Sequence, residues 1–370
     1  MNKLLNQKKL SGLGPIGIFA ASMIILFIIT PSFRSMANFT QILLSASVYM
    51  LLAMGMSFAI IIDGIDLSAG SIVGLTGGIA CMAMTYLNLP VPVALILGVL
   101  VGAVCGLING LLITKLDLIP FIATLGGQWV YRGALKLLNN GATITLRGTI
   151  SDEALATLTY IGNGKFLGIP VPVYLVLVMA IALNFVLRHT VFGRSVYAVG
   201  SNAETAKMSG INVQKVKLLA QSITGLMAGM AGIVMLCRMV SIQANTGEGY
   251  EFEGIFASVV GGVSMAGGEG TIFGAVIGAL VVAVLRNGLN LNGINSFWQQ
   301  VILGVLVLVA SIKFLPFASR SGVNSMMQIA PEIEEAAVIF GVPWRTRMTR
   351  ILFPIQKSSI ISGYLLPVIS

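Results

Sequence analysis

Charge is what this chain has least of. Asp, Glu, Lys and Arg make up 9% of its 370 residues, where a soluble domain carries roughly 25%. With 56% apolar residues and a mean hydropathy of +0.94, it cannot cover a water-facing surface, and a soluble globular protein is excluded. Histidine occurs once, as His189, so no metal site or proton relay is expected there. Cys81, Cys105 and Cys237 sit inside apolar runs without metal-ligand spacing and read as buried free thiols. No G-x-x-x-x-G-K-[ST] phosphate loop occurs, so the chain is not expected to hydrolyse ATP. The glycine-rich stretch Gly261–Gly274 lacks that lysine and reads as a tight turn between two apolar segments. Neither a nucleophile–base pair nor H-E-x-x-H is visible, which argues against an enzyme. No catalytic residue, metal ligand or bound cofactor is assigned. The net charge of +9 is scattered over loops, which speaks against nucleic acid and for loops facing an anionic lipid leaflet.

What is abundant is apolar sequence. Runs of spanning length, about 17–25 residues, are placed at 16–30, 42–62, 70–87, 91–113, 118–138, 170–187, 217–240, 253–266, 270–290 and 298–315. The expected fold is all-α, a polytopic membrane protein of about ten transmembrane helices. The first, third and eighth runs are short, and short or glycine-broken segments belong to helices interrupted within the bilayer, where irregular backbone lines a cavity. Gly98, Gly102, Gly106 and Gly110, and again Gly270, Gly274 and Gly278, recur every four residues and predict close helix packing. The basic N-terminus carries no A-x-A cleavage pattern and is read as a retained cytoplasmic end. With it inside, Lys115, Arg188, Arg194, Lys207, Lys215, Lys217, Lys313 and Arg320 are also inside, against Arg34, Arg147 and Lys165 outside. The expected organisation is a cytoplasmic tail 1–15, a transmembrane domain 16–318 and a C-terminal tail 319–370.

Between the sixth and seventh runs lies a polar island, Arg188–Lys217. Ser201 followed by Glu204 makes a capping-box pattern, so a helix is predicted from Asn202, with Gly210 as its stop. About two turns are too short to be stable alone and must dock on something. A basic peg on the cytoplasmic face points to a partner protein.

Polar groups also interrupt the apolar runs. Asp63–Ser71, DGIDLSAGS, holds two carboxylates and two hydroxyls. Asp63, Asp66 and Ser68 either line a substrate route, since carboxylates at membrane depth are costly, or cap the next helix. Thr124, Gln128 and Trp129, Asn287 and Asn290, and Trp298, Gln299 and Gln300 are further pathway candidates. Amides suit the hydroxyl pattern of a sugar and aromatic faces its C–H surfaces. Interfacial anchoring is the other reading of Trp129 and Trp298.

The strings GIDLSAGS (64–71), FIATLG (121–126), GRSVYAVGSNAETAKMSGI (193–211), VVGGVSMAGGEGT (259–271) and NGLN (287–290) resemble the permease subunits of ABC importers for monosaccharides, of the ribose, xylose and galactose type. The resemblance covers about residues 36–315, with the strings in the right order. It implies a cell-membrane assembly of two permease chains, two cytoplasmic ATP-binding domains that hold ATP and magnesium, and a periplasmic or lipid-anchored sugar-binding protein. It also implies that Gly193, Arg194, Tyr197, Gly200, Asn202, Glu204, Ala206 and Gly210 form the element that couples ATP hydrolysis to transport.

The tail departs from this pattern. Glu335, Ala336, Ala337, Gly341 and Pro354 resemble the EAA loop of a different ABC permease class, which makes the chain a hybrid. The tail is read either as a second docking element or as an amphipathic appendage on the membrane surface. Two other functions stay open: a secondary transporter in which Asp63 and Asp66 bind a coupling ion, and an importer of a signalling furanose, nucleoside or polyol.

Overall fold

The structure, a computed structural model, describes residues 2–295 and, beyond them, 297–299, 301–302, 304–305 and 343. Its helices are α1 (Asn2–Ile29), α2 (Met36–Ile61), α3 (Ala69–Thr85), α4 (Val91–Lys115), α5 (Pro120–Leu138), α6 (Asp152–Asn163), α7 (Val171–His189), α8 (Val191–Ser201), α9 (Ala203–Met208), α10 (Val213–Met239), α11 (Tyr250–Val260) and α12 (Ile272–Leu291). A 3-10 turn, Pro31–Arg34, joins α1 to α2. Two small antiparallel pairs complete it: β1 (Ile144–Thr145) with β4 (Ser241–Ile242), and β2 (Lys165–Phe166) with β3 (Ile169–Pro170).

Nine of the ten expected runs fall on helices, and the tenth, 298–315, lies largely outside the described residues. Among the described residues α2, α4, α7, α10 and α12 are long and apolar enough to cross a membrane. The apolar stretch Pro15–Ile29 of α1, and α3, are shorter, and α5 carries Arg132 and Lys136.

Several boundaries differ from expectation. The segment 1–15 is helical from Asn2 and runs on through Pro15 into the first span. The eighth run is helical only from Tyr250 to Val260, because Gly261, Gly262, Gly267 and Gly268 turn the chain beyond it. Helix α10 starts at Val213, so the island's non-spanning part is Thr190–Asn212. Helix α6 was not anticipated; Ser151 caps it by accepting from the Ala154 N–H at 3.3 Å, with Asp152 and Glu153 in its first turn. Glu335, Ala336, Ala337, Gly341 and Pro354 lie outside the described residues, as does nearly all of the tail 319–370.

Helix α2 is the central post, buried along nearly its whole length. Helix α4 is two-faced. Ala94, Gly98, Gly102, Cys105, Gly106, Asn109 and Ile113 are buried, while Ile96, Leu100, Val104 and Ile108 are exposed, the stripe of a helix with one side to lipid. Its glycine face meets glycines of α10. A Cβ on Gly102 would lie 2.6 Å from the Gly229 Cα, and one on Gly225 2.6 Å from the Gly106 Cα, so the two backbones touch directly. Where lipid removes the hydrophobic drive between helices, such contact is what holds them. The second predicted glycine face is only partly helical: Gly274 and Gly278 seat α12 against the Gly261 and Ala257 carbonyls of α11's C-terminal end, whereas Gly270 precedes α12 in the loop.

Candidate functional site

The polar island folds as two capped helices. Thr190 caps α8, its Oγ1 accepting from the Gly193 N–H at 3.1 Å. The cap of α9 is Asn202, whose Oδ1 accepts from the Thr205 N–H at 2.8 Å. Ser201 is therefore not the cap: it ends α8, and its hydroxyl donates back to the Tyr197 carbonyl at 2.9 Å. Asn202 is extended (φ −166°, ψ 107°), the conformation a cap requires, and a serine in the last turn of a preceding helix cannot supply it. Helix α9 is correspondingly shorter than predicted, six residues, and Gly210 closes it in the left-handed region at φ +81°. Asn212 caps α10 through the Lys215 N–H at 2.9 Å.

The island is interlocked with the bundle at one junction. A Cβ on Gly200 would sit 1.7 Å from the Ile61 carbonyl oxygen and 2.6 Å from the Gly268 nitrogen. The Gly268 N–H donates to the same Ile61 carbonyl at 2.9 Å, and the Tyr197 hydroxyl donates to the Gly270 carbonyl at 2.7 Å. Three strands of backbone thus meet: the end of α2, the last turn of α8 and the loop 261–271. The Phe58 and Phe192 rings, 6.3 Å apart, stack beside them. Burial pushes the Tyr197 phenol above its usual range, with Arg188 acting in the opposite sense. Gly193 packs against the Leu187 carbonyl at the turn out of α7, and Ala206 is buried. Arg194, Asn202, Glu204 and Gly210 are exposed, as are Lys207 and Met208, so the peg keeps one face for the bundle and presents another outward.

The pathway candidates separate into distinct settings. Asp63 terminates α2 in the left-handed region (φ 62°), on the island's face, and is exposed. Asp66 is fully buried; its Oδ1 accepts from the Ser68 N–H at 2.8 Å and from the Ser68 hydroxyl at 2.6 Å. Asn109 donates to the Ser68 hydroxyl and the Tyr131 hydroxyl donates to Asn109, each at 2.8 Å. This closed network pins the start of α3 to α4 and α5. Thr124 ties α5 to the Ile65 carbonyl at 3.1 Å. Asn287 exchanges two amide hydrogen bonds with Asn38, at 2.7 and 3.0 Å. Gln299 donates to Asn290 at 2.7 Å. Only Gln128 reaches a second acidic centre, donating to Glu251 at 3.0 Å.

That centre was passed over in the sequence. Residues 242–249 run back along α3 from Gly77 to Gly70, and α11 begins where they end. Its first turn, Tyr250-Glu251-Phe252-Glu253, carries two buried carboxylates. Glu253 pairs with Arg286 of α12, while the Arg132 guanidinium holds the Thr246 and Ala244 carbonyls. Tyr250 meets Tyr49 of α2 edge-to-face, centroids 5.7 Å apart. Above them opens a cavity of about 310 Å3 lined by Gln41, Ser45, Val48, Tyr49, Asn163, Met235, Arg238, Met239 and Tyr250. The available signal was the pair of acidic residues opening a short span, in a chain with only 13. Among the described residues no group of three or more His, Cys, Asp or Glu could hold a metal ion.

The chain matches the family described as branched-chain amino acid transport system / permease component over residues 38–311, which includes both the peg and the cavity. It belongs to that family. The ribose import permease protein RbsC of Bacillus subtilis (strain 168) is 42% identical over 300 residues, 80% of this chain and 91% of that protein. RbsC of Escherichia coli (strain K12) is 37% identical over 282 residues, 76% of this chain and 87% of that protein. The D-allose transport system permease protein AlsC of the same strain is 36% identical over 278 residues, 75% and 83% of the two chains. No solved structure gives a significant match. The chain is accordingly a multi-pass, all-α membrane permease of the ABC importer type.

Proposed function

We propose that this permease carries a monosaccharide across the cell membrane, received from a separate binding protein and driven by ATP hydrolysed in a cytoplasmic subunit docked on α8 and α9. The junction at Gly200 carries the reading. A force applied to the exposed side of the peg reaches two elements at once, through contacts too close to absorb it. One is α2, from Ile61 to Tyr49. The other is the loop 261–271 and α11, from Val260 to Tyr250. Both end at the cavity, about 18 Å away along α2 and about 15 Å along α11 at 1.5 Å per residue. Docking and release of the ATP-binding subunit would therefore shift Tyr49 and Tyr250 relative to their neighbours and alternate the access of the cavity.

In this reading the chain has no catalytic residues of its own, works as one of two permease copies, and leaves ATP and magnesium to its partner. The sugar is proposed from the relatives' names, ribose and allose; a furanose signal, nucleoside or polyol is the neighbouring possibility. The ion-coupled alternative needs a carboxylate free for an ion. Asp66 has its Oδ1 engaged twice by Ser68, and Asp63 lies at a helix end on the island's face. Uptake of labelled D-ribose and D-allose into proteoliposomes holding the permease, its ATP-binding subunit and its binding protein tests the proposal. Accumulation should require ATP and survive collapse of ion gradients; uptake that follows the gradients and ignores ATP overturns it.

A further inference from the structure

We infer that the cavity between α2, α10 and α11 is a sugar-holding chamber built within a single permease chain, with Arg238, Tyr49 and Tyr250 as its selective contacts. The inference rests on the importer reading and adds to it a place and a set of contacts.

Gln41, Ser45 and Tyr49 follow one another at intervals of four on α2, so they share one face of that helix. Their exposure falls with depth: Gln41 is exposed, Ser45 is half-buried and Tyr49 is buried. At 1.5 Å per residue the row descends about 12 Å, from the rim opposite the peg to a floor made by the Tyr49–Tyr250 pair. Among the described residues, the side chains of Gln41, Ser45, Tyr49 and Tyr250 make no hydrogen bond within the chain. The Nε of Arg238 is buried without a partner. Buried polar groups are normally satisfied, so the buried Arg238 Nε and the buried Tyr49, both without a hydrogen bond at one cavity, are placed for something that enters it. Together with Gln41, Ser45 and Tyr250 they comprise an amide, a hydroxyl, two phenols and a guanidinium, a mixture of donors and acceptors suited to ring hydroxyls. The aromatic pair offers an apolar face for C–H surfaces, and the volume lies in the range of small-molecule sites.

The chamber is also tied to the moving parts. Tyr250 opens α11, the half-length helix that begins inside the bundle, as helices at membrane binding sites do. The Glu253–Arg286 pair lies within one helical turn of Tyr250 and anchors α11 to α12. A displacement of α11 that reaches Tyr250 reshapes the chamber floor.

The test uses the complete importer in proteoliposomes, with radiolabelled D-ribose and D-allose as probes. Ser45→Cys is treated with a membrane-impermeant thiol reagent in nucleotide-free, ATP-bound and vanadate-trapped states. The parent chain, whose cysteines are all buried, serves as background. Expected is reaction in one nucleotide state and at least about fivefold protection by sugar-loaded binding protein. Arg238→Gln and Tyr250→Leu should change the ribose-to-allose uptake ratio by at least about tenfold, the low end of what a pocket contact discriminates. A Ser45→Cys thiol unreactive in every state overturns the inference, and so do variants with an unchanged ratio. If the parent imports neither sugar, the sugar reading itself fails. The labelling then still reports whether this cavity opens to water, which separates the two failures.

Discussion

Gly200→Ala is the sharpest perturbation available, because its methyl group has nowhere to go. Its Cβ would lie 1.7 Å from the Ile61 carbonyl oxygen and 2.6 Å from the Gly268 nitrogen. Both neighbours are backbone, so no rotamer change relieves the overlap, and α8 must move by more than about 1 Å. Overpacking of this kind costs about 1–3 kcal/mol. Parting Gly268 from Ile61 adds about 1 kcal/mol for a lost hydrogen bond. The combined cost, about 2–4 kcal/mol, falls on the junction between peg, α2 and glycine loop, while the α4–α10 packing that holds the bundle is untouched. The expected phenotype is uncoupling: normal membrane insertion and a monodisperse complex, but ATP hydrolysed per sugar imported rising at least about tenfold, since a misplacement of 1 Å can cost two orders of magnitude in rate. Gly133→Ala is the control. Nothing lies within 4 Å of its Cβ, and it stands inside helix α5, where alanine is favoured by about 1 kcal/mol. Tyr197→Phe, which deletes only the donor to Gly270, should uncouple more mildly. Stoichiometry and rate unchanged in Gly200→Ala would refute the claim that force passes through this contact.

Three further outcomes are expected. Glu253→Leu alone leaves the Arg286 charge half-buried and should lower thermal stability by about 3–5 kcal/mol, whereas the double change Glu253→Leu with Arg286→Met recovers most of it; a thermal-shift double-mutant cycle with no coupling refutes the pair. Asp66→Asn keeps an acceptor for the Ser68 N–H, so ATP-driven uptake should persist with a loss of about 1–3 kcal/mol in stability, read by melting of the purified protein; abolished uptake with an intact fold would return Asp66 to the transport path. Deleting residues 320–370, beyond the matched region 38–311, should leave uptake and its ATP stoichiometry unchanged, and a drop in coupling would make the tail a second docking element.

The parts of the fold legible in the sequence were those governed by local rules. Apolar runs such as 91–113 are long enough that only a helix can satisfy their backbone in lipid, and they reappear as helices within a few residues. The four-residue glycine row on α4 was visible because it is a property of one helix. Its partner row, Gly225 and Gly229, became meaningful only when α10 was laid against it. The island is legible as a capped helix, yet the capping-box pattern sets the cap one residue early, at Ser201 instead of Asn202. Ser201 and Asn202 are both good capping residues, and the choice depended on α8 occupying Ser201 first.

The candidate site was less legible. Asp63 and Asp66 stand out as carboxylates in an apolar setting, and the sequence carries both a pathway and a helix-end reading for them; the fold sets Asp63 just after α2 and Asp66 just before α3. Tyr49, Ser45 and Gln41 drew no attention within an unbroken apolar helix, since a phenol among aliphatic residues reads as core. Glu251 and Glu253 escape notice because the eighth run, although read as short, is placed at 253–266, which leaves Glu251 outside it and Glu253 at its edge.

Composition and hydropathy by themselves determined that this chain spans a membrane as a helical bundle, because the solvent decides that matter residue by residue. The Asn202–Glu204 peg was likewise a local pattern. Where that peg bears on the bundle, and which polar groups share a cavity, was decided only by tertiary structure. Gly200, Ile61 and Gly268 come from three separate stretches of chain, as do Tyr49, Arg238 and Tyr250. Such meetings are set by helix packing across the whole bundle, and no periodicity within one segment encodes them.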